Sequence, residues 1–162
     1  MIPVKLYLVQ HGEAKNKEED PERPLTNRGV EEVKKVASSI IKAKPSIEVI
    51  KHSEKLRAKQ TAEIFSEYLN VAKVETIDGL APLDDVGPMA EELVKETKNL
   101  MLVGHLPFLD RLTAKLLNGD PDNSVIKFRK GGVVCLEQDQ EKWKLSWMII
   151  PEIVRGCKKR SF

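Results

Sequence analysis

Short apolar runs that alternate with segments of helical periodicity restrict the fold of this chain more than any other feature. Residues 4–9 and 100–103 are almost wholly apolar, which is typical of strands covered on both faces. Between such runs, apolar residues recur at helical spacing, as at Val30, Val33 and Ala37. The alternation predicts an α/β protein, a three-layer α/β/α sandwich with a mixed, mostly parallel central sheet.

The predicted elements alternate strand and helix and end in two consecutive strands. Thr26 and Asn27 are good caps for the first helix, and Ser53 is expected to cap the second. No repeat, low-complexity tract or linker interrupts the order, so one domain over residues 1–162 is the simplest interpretation. The other predicted strands are 47–50, 73–77, 131–136 and 142–150, and the later helices include 89–94 and a segment through Leu109, Leu112 and Leu116.

Composition excludes several classes of function. The 27 basic and 25 acidic residues leave a net charge of +2, which gives no reason to expect a nucleic-acid or membrane partner. The two cysteines, Cys135 and Cys157, fit neither a metal-ligand spacing nor a disulfide framework, and no apolar stretch is long enough to span a bilayer. Without a signal-peptide pattern, we predict a cytoplasmic protein that needs no cofactor or metal.

Histidines follow two of the predicted strands at the end where ligands bind in α/β sheets. His11 follows the first strand and His105 follows the strand at 100–103. Gly12 and Gly104 adjoin them, and a glycine there is expected to let the backbone approach a ligand closely. Arg57 falls in the first turn of the second helix, where free N–H groups favour an anion. A lone histidine is usually structural, but this repeated placement predicts a phosphate site.

Four motifs surround these residues and occur in the order typical of one family. They read QHGEA at 10–14, RPLTNRG at 23–29, SEKLRAKQT at 53–61 and GHLP at 104–107. In this order the motifs resemble the histidine phosphatase superfamily, which has a phosphoglycerate mutase-like fold, and in particular its small SixA-type phosphohistidine phosphatases. The resemblance implies an enzyme that hydrolyses phosphoryl groups, with a phosphohistidine-containing protein as the substrate.

The resemblance also implies roles for individual residues. His11 would be the nucleophile that forms a covalent phosphohistidine, while Arg57 and His105 would complete the catalytic set. Gln10 and Arg23 would join these three residues in binding phosphate. For Arg23, an ion pair that orders its loop is an equally good interpretation. The neutral form of His11 is required for attack, so its other ring nitrogen should be held by a backbone carbonyl.

Gln10 departs from the family pattern, which has arginine at this position. Losing one charged contact to a transition-state oxygen costs on the order of 3 kcal/mol, or roughly a hundredfold in rate. A non-catalytic or weakly active phosphate- or phosphoprotein-binding protein is therefore an alternative function.

The leaving group distinguishes two further possibilities. A phosphatase for small phosphomonoesters would need a general acid, for which Glu13, Asp84 and Asp85 are weak candidates. Phosphohistidine needs no strong acid, because imidazole has a pKa of about 6.5 and leaves easily. A metal site built from His11, His52 and His105 is the least favoured interpretation, because no local ligand pair supports it.

Overall fold

The computed structural model describes residues 2–155, and Cys157 lies outside them. Strands and helices alternate through most of this part of the chain, as the apolar pattern predicts. The strands are β1 (Lys5–Gln10), β2 (Val49–His52), β3 (Val74–Thr76), β4 (Leu100–Gly104), β5 (Val133–Asp139) and β6 (Lys142–Ile149). The α-helices are α1 (Asn27–Ile40), α2 (Leu56–Leu69), α3 (Gly87–Val94) and α4 (Phe108–Asn118), with 3₁₀ turns at Ile41–Ala43 and Pro151–Ile153.

The strands form one mixed sheet in the order β3-β2-β4-β1-β5-β6. β4 pairs in parallel with both β1 and β2, and β2 pairs in parallel with β3. β5 is antiparallel to β1 and to β6, so it alone among the strands of residues 2–155 runs against the others. The prediction of a mixed, mostly parallel sheet is confirmed.

Two cores cover the two faces of the sheet, and β1 contributes to both. Leu6 and Leu8 belong to the core that also contains apolar residues of α3 and α4. Tyr7 and Val9, which point to the opposite face, belong to the core shared with α1 and α2. All four side chains are at most 1% exposed, so β1 is covered on both faces, and the predicted three-layer arrangement is confirmed.

Strand register brings the carboxyl ends of three neighbouring strands to one edge. Gln10 is paired with Gly104, and the N–H of His11 donates to the Gly104 carbonyl at 3.0 Å. His52, the last residue of β2, is paired with Val103. β2 ends at His52 rather than at residue 50, because pairing with β4 and β3 continues to that residue.

The two predicted helix caps have different outcomes. Thr26 caps α1 by accepting a hydrogen bond from the Gly29 N–H at 2.9 Å, as predicted. The prediction for Ser53 is wrong, because α2 begins at Leu56 with Lys55 in the cap position and without a side-chain cap bond. The Ser53 hydroxyl contacts a histidine instead.

Candidate functional site

Two buried imidazoles lie side by side at the edge of the sheet. The ring centroids of His11 and His105 are 5.1 Å apart, and the ring planes are inclined by 53°. His11 is 7% exposed and His105 is 2% exposed. The structure therefore brings together the two histidines that the sequence placed at separate strand ends.

A backbone carbonyl fixes the protonation of His11. The Nδ1 atom of His11 is 2.7 Å from the carbonyl oxygen of Gly12, which can only accept a hydrogen bond. Nδ1 must therefore carry the ring proton, which leaves a lone pair on Nε2. Burial lowers the pKa of His11 to about 4 against the opposing effect of the Gly12 bond, and the charges of Arg57, Lys130 and Arg23 lower it further. The ring is neutral at neutral pH, as a nucleophile requires.

His105 is held by a hydroxyl rather than by a carbonyl. Its Nε2 is 2.6 Å from the Ser53 Oγ, and its Nδ1 is buried without a hydrogen-bond partner within residues 2–155. Burial lowers the pKa of His105 to about 3, with further contributions from His11 and Arg57. This imidazole is also neutral at neutral pH.

Two arginines, Arg23 and Arg57, bring positive charge to the site. Arg57 is the second residue of α2, and its buried Nε has no hydrogen-bond partner among the described residues. Burial and then the charge of Arg23 lower the pKa of Arg57. Within residues 2–155, no ion pair involves either arginine. Both line a cavity of about 760 Å³, and such unpaired cations favour a bound anion.

Arg23 is ordered by the backbone of its own loop. Its Nε donates to the carbonyl of Lys15 at 3.0 Å, and its backbone has a φ of 52°. An ion pair that orders the loop is therefore absent in this part of the chain, and a backbone contact takes its place. The outer nitrogens of the guanidinium form no hydrogen bond to the described residues, which is compatible with a phosphate-binding role.

Contacts from α2 hold the loop that follows β1. The Gly12 N–H donates to the Thr61 Oγ1 at 3.0 Å, and the Thr61 hydroxyl donates to the Arg57 carbonyl at 2.8 Å. The Gln60 side chain accepts from the Leu25 N–H at 2.7 Å, which ties the RPLT segment to the same helix. Thr61 and Gln60 thus orient the segments that carry His11 and Arg23.

Gly12 has a packing role that differs from the expected one. A Cβ atom at this position would lie 2.8 Å from the Cγ2 of Val33 and 3.2 Å from the Gly29 carbonyl oxygen. The missing Cβ of Gly12 therefore faces α1, and the close approach of its backbone to a ligand stays a prediction. The glycine allows the end of β1 to approach α1 closely.

Gln10 brings no charge to the site. It is 8% exposed, and strand alternation places it on the same face of the sheet as Leu6 and Leu8. Its carbonyl accepts from the Gly131 N–H at 2.9 Å, which brings the neighbouring Lys130 close enough to lower the pKa of His11. Lys130 could not be identified from the sequence, because no motif marks the segment between α4 and β5.

The carboxylates considered as general acids all take part in local structure. Glu13 accepts a hydrogen bond from the Thr26 hydroxyl at 2.6 Å. Asp84 accepts from the Ala81 N–H at 2.9 Å, and Asp85 accepts from the Gly87 N–H at the start of α3. Of these three, only Asp84 lines the cavity that contains Arg23 and Arg57.

The described residues offer no arrangement suited to a metal ion. No group of three or more His, Cys, Asp and Glu side chains among residues 2–155 could hold one. His52, the third strand-end histidine, has its Nδ1 2.7 Å from the Ser53 carbonyl oxygen. In the same part of the chain, none of the helices is long and apolar enough to cross a membrane.

Comparison with known proteins gives consistent matches. The sequence model described as "Histidine phosphatase superfamily (branch 1)" matches residues 6–85. The chain is 31% identical over 123 residues to phosphohistidine phosphatase SixA of Escherichia coli (strain K12), covering 72% of this chain and 76% of that protein. It is also 31% identical over 140 residues to an uncharacterised protein of Picosynechococcus sp. (strain ATCC 27264 / PCC 7002 / PR-6), covering 82% and 84%.

A solved structure matches over almost the whole fold. The structure of the protein histidine phosphatase SixA complexed with tungstate superimposes with a TM-score of 0.81 at 27% sequence identity. The match covers 91% of this chain and 97% of that chain. The likeness agrees with the fold predicted from the sequence motifs.

Proposed function

Because the chain belongs to the histidine phosphatase superfamily, we propose that it is a phosphohistidine phosphatase that acts through a phosphohistidine formed on His11. The observation that carries the proposal is a neutral, nucleophilic imidazole beside an arginine whose buried Nε has no partner in the described chain. A tetrahedral oxyanion supplies the acceptors that Arg57 lacks.

The first chemical step transfers the phosphoryl group between two imidazoles. The Nε2 lone pair of His11 attacks phosphorus, and the bond between phosphorus and the substrate imidazole breaks. A proton on the other nitrogen of the substrate ring allows that ring to leave as neutral imidazole. Water then attacks the phosphorus on His11, releasing inorganic phosphate and restoring the imidazole. Arg57, Arg23 and His105 bind the phosphoryl oxygens during both steps.

The hydrogen bonds of the candidate carboxylates agree with an imidazole leaving group, which needs no general acid. Glu13, Asp84 and Asp85 each accept a hydrogen bond that stabilises a local turn or a helix start. A phosphoramidate needs no general acid, whereas an alkoxide leaving group does. Because these three carboxylates are engaged in such contacts, they favour phosphohistidine over a phosphomonoester.

A protein is the substrate class that we propose. The rim of the cavity that contains Arg57 includes Pro82 and Leu83, and Leu83 is 89% exposed. This exposed apolar side chain beside the proposed anion site is accessible to a protein surface that carries the modified histidine. The relative named phosphohistidine phosphatase SixA supports the same substrate class. The cytoplasmic location and the lack of nucleic-acid and membrane partners stay predictions.

Gln10 favours a second candidate, a protein that binds phosphate or phosphoproteins with little turnover. The residue supplies no positive charge at the end of β1, although Lys130, Arg23 and Arg57 lie close enough to affect the pKa of His11. Ground-state binding depends less on a single charge than turnover does. The two candidates therefore differ in rate rather than in affinity.

Phosphate release from a phosphohistidine-containing protein tests the proposal. We expect release by the unmodified protein and by His52→Ala, the same substitution at another strand-end histidine, but not by His11→Ala. Phosphate binding without turnover in the unmodified protein would favour the second candidate. Faster hydrolysis of any member of a phosphomonoester panel would contradict phosphohistidine as the preferred substrate.

A further inference from the structure

A buried hydrogen bond joins the ends of β2 and β4 beside the proposed nucleophile. The Oγ of Ser53, which follows β2, lies 2.6 Å from the Nε2 of His105, which follows β4. Both residues are at most 3% exposed. The backbone N–H of Lys55 donates to the same Oγ at 3.4 Å. The Ser53 hydroxyl therefore lies between the Lys55 N–H and His105 Nε2. The proton of the bond between Ser53 and His105 can belong to the hydroxyl oxygen or to the ring nitrogen.

Hydrogen-bond accounting favours one direction for this bond, because the other leaves both the Ser53 hydroxyl proton and the Nδ1 lone pair of His105 unpaired, rather than a single N–H. If His105 Nε2 carried the proton, the Ser53 hydroxyl proton would be buried without an acceptor, since His105 and Lys55 are its partners within the described residues. If the hydroxyl donates to Nε2, its lone pair remains available to the Lys55 N–H. The ring proton of His105 must then be on Nδ1.

The other two histidines also carry the ring proton on Nδ1, but for a different reason. We call this tautomer the Nδ1–H ring form. Nδ1 of His11 and Nδ1 of His52 each lie 2.7 Å from the carbonyl oxygen of the next residue, so each must carry a proton. His105 differs because its Nδ1 is buried and has no acceptor within residues 2–155. An N–H group at this nitrogen therefore lacks an acceptor in the described chain, and an anion bound beside His11, whose ring centroid is 5.1 Å from that of His105, would supply one.

We propose that Ser53 is a positioning residue that holds His105 in its Nδ1–H form, so that this N–H donates to an oxygen of the transferring phosphoryl group. The inference rests on the proposed function for the identity of the acceptor. The opposite ring form would present a lone pair to a negatively charged oxygen, which is repulsive. The low pKa of His105 agrees with a neutral donor that keeps one proton throughout the reaction.

Nitrogen NMR of histidine-labelled protein tests the ring form without any substrate. The chain has only 3 histidines, so long-range proton–nitrogen correlations can be assigned with His52→Gln and His105→Gln. In the unmodified protein at neutral pH, we expect all three rings to be protonated on Nδ1. Protonation of His105 on Nε2 would overturn the proposal, whatever the activity of the protein.

Variants of Ser53 test its role in the reaction. Ser53→Ala should give His105 a mixture of ring forms and lower kcat for phosphohistidine hydrolysis roughly tenfold, the effect of one lost hydrogen bond. Ser53→Thr keeps the hydroxyl and should restore both. Ser66→Ala removes another hydroxyl, one that donates to the Val71 carbonyl at 2.7 Å, and should change neither.

The two readouts separate this inference from the proposed function. An Nδ1–H ring in the unmodified protein that persists in Ser53→Ala would contradict the role of Ser53. An altered ring form in Ser53→Ala without a change in kcat would contradict the donor role of His105. Failure of the unmodified protein to release phosphate would contradict the proposed function alone, since the NMR result does not depend on turnover. If Ser53→Ala does not fold, Ser53→Thr and the unmodified protein still report the ring form.

Discussion

Gln10 stands where the superfamily pattern has arginine, and it lies directly before the proposed nucleophile. We predict that Gln10→Arg raises kcat for phosphohistidine hydrolysis by about tenfold to a hundredfold, because a charged donor then faces the transition-state oxygens. Steady-state kinetics would measure the change.

Gln138→Arg provides the control for this substitution. Gln138 lies on β5, and its side chain donates to the Val94 carbonyl at 3.4 Å, away from the histidines. The same change in charge at that position should leave kcat unaltered. An unchanged kcat in Gln10→Arg would contradict the account of position 10 and would assign the role to Arg23 or Lys130.

Burial of the proposed nucleophile predicts that activity is lost only at an unusually low pH. A protonated His11 has no lone pair for attack, and its pKa is about 4 in the folded protein. We therefore expect kcat/KM to stay level below pH 6.5 and to fall as the pH passes through about 4. The rate must be corrected for spontaneous hydrolysis of the substrate in acid. An acid limb near pH 6.5 would contradict a buried, neutral nucleophile.

The same pKa values predict how stability depends on pH. The pKa of His11 is about 4 and that of His105 is about 3 in the folded protein, against about 6.5 for an unfolded chain. Between pH 6.5 and 4 the unfolded chain binds more protons, so acid lowers the free energy of unfolding. Urea denaturation across this range should show a smaller pH dependence in His11→Ala than in the unmodified protein. An equal dependence in both would contradict the depressed pKa.

At the scale of elements, the sequence predicted the strands and helices better than the contacts between them. Apolar periodicity identifies β1, β4 and α1, because burial on one or both faces determines residue type along the whole element. The contact between Ser53 and His105 joins residues 52 positions apart and leaves no local pattern. The close approach of Gly12 to Val33 also joins residues that are distant in sequence. In addition, a glycine next to a motif histidine suggests a ligand contact before a packing contact.

The packing of β1 against α1 gives a prediction at this scale. Gly12→Ala should lower the free energy of unfolding by about 1–3 kcal/mol, because the added methyl group would lie 2.8 Å from the Val33 side chain. In a Val33→Ala background the same change should cost less, which a double-mutant cycle with urea denaturation would measure.

Gly104→Ala is the matched control for that cycle. A Cβ atom at Gly104 meets its nearest neighbour, the Leu80 carbonyl oxygen, at 3.7 Å, which is an ordinary contact. Gly104→Ala should therefore show no coupling to Val33→Ala. Equal costs of Gly12→Ala in the two backgrounds would contradict the close contact with Val33.

For the whole molecule, the net charge is nearly balanced, but the fold concentrates positive charge in one cavity. The net charge of +2 is small, yet Arg23 and Arg57 line one cavity without an ion pair in the described chain. Such placement costs stability in the absence of a ligand and favours an anion when one is present. The net charge visible in the sequence could not reveal this, because the fold determines which cations meet.

Arg57→Met should therefore separate stability from binding. Without phosphate, its free energy of unfolding should exceed that of the unmodified protein, because the change removes a partly buried charge next to Arg23. Inorganic phosphate at about 100 times its Kd should stabilise the unmodified protein by about 2.7 kcal/mol and should not stabilise the variant. Urea denaturation with and without phosphate measures both effects.

Lys59→Met removes a charge from the exposed side of the same helix and should keep the full response to phosphate. Equal stabilisation of Arg57→Met and the unmodified protein by phosphate would place the anion elsewhere.

The most direct test of the account is to trap the phosphorylated protein during turnover. A substrate carrying labelled phosphohistidine would be mixed with an excess of the protein, quenched in alkali, and the labelled peptide identified by mass spectrometry. We predict label on His11, stable in base and lost in acid, and no label in His11→Ala. Release of phosphate with no label on His11, or with label on a carboxylate or hydroxyl, would contradict the proposed nucleophile.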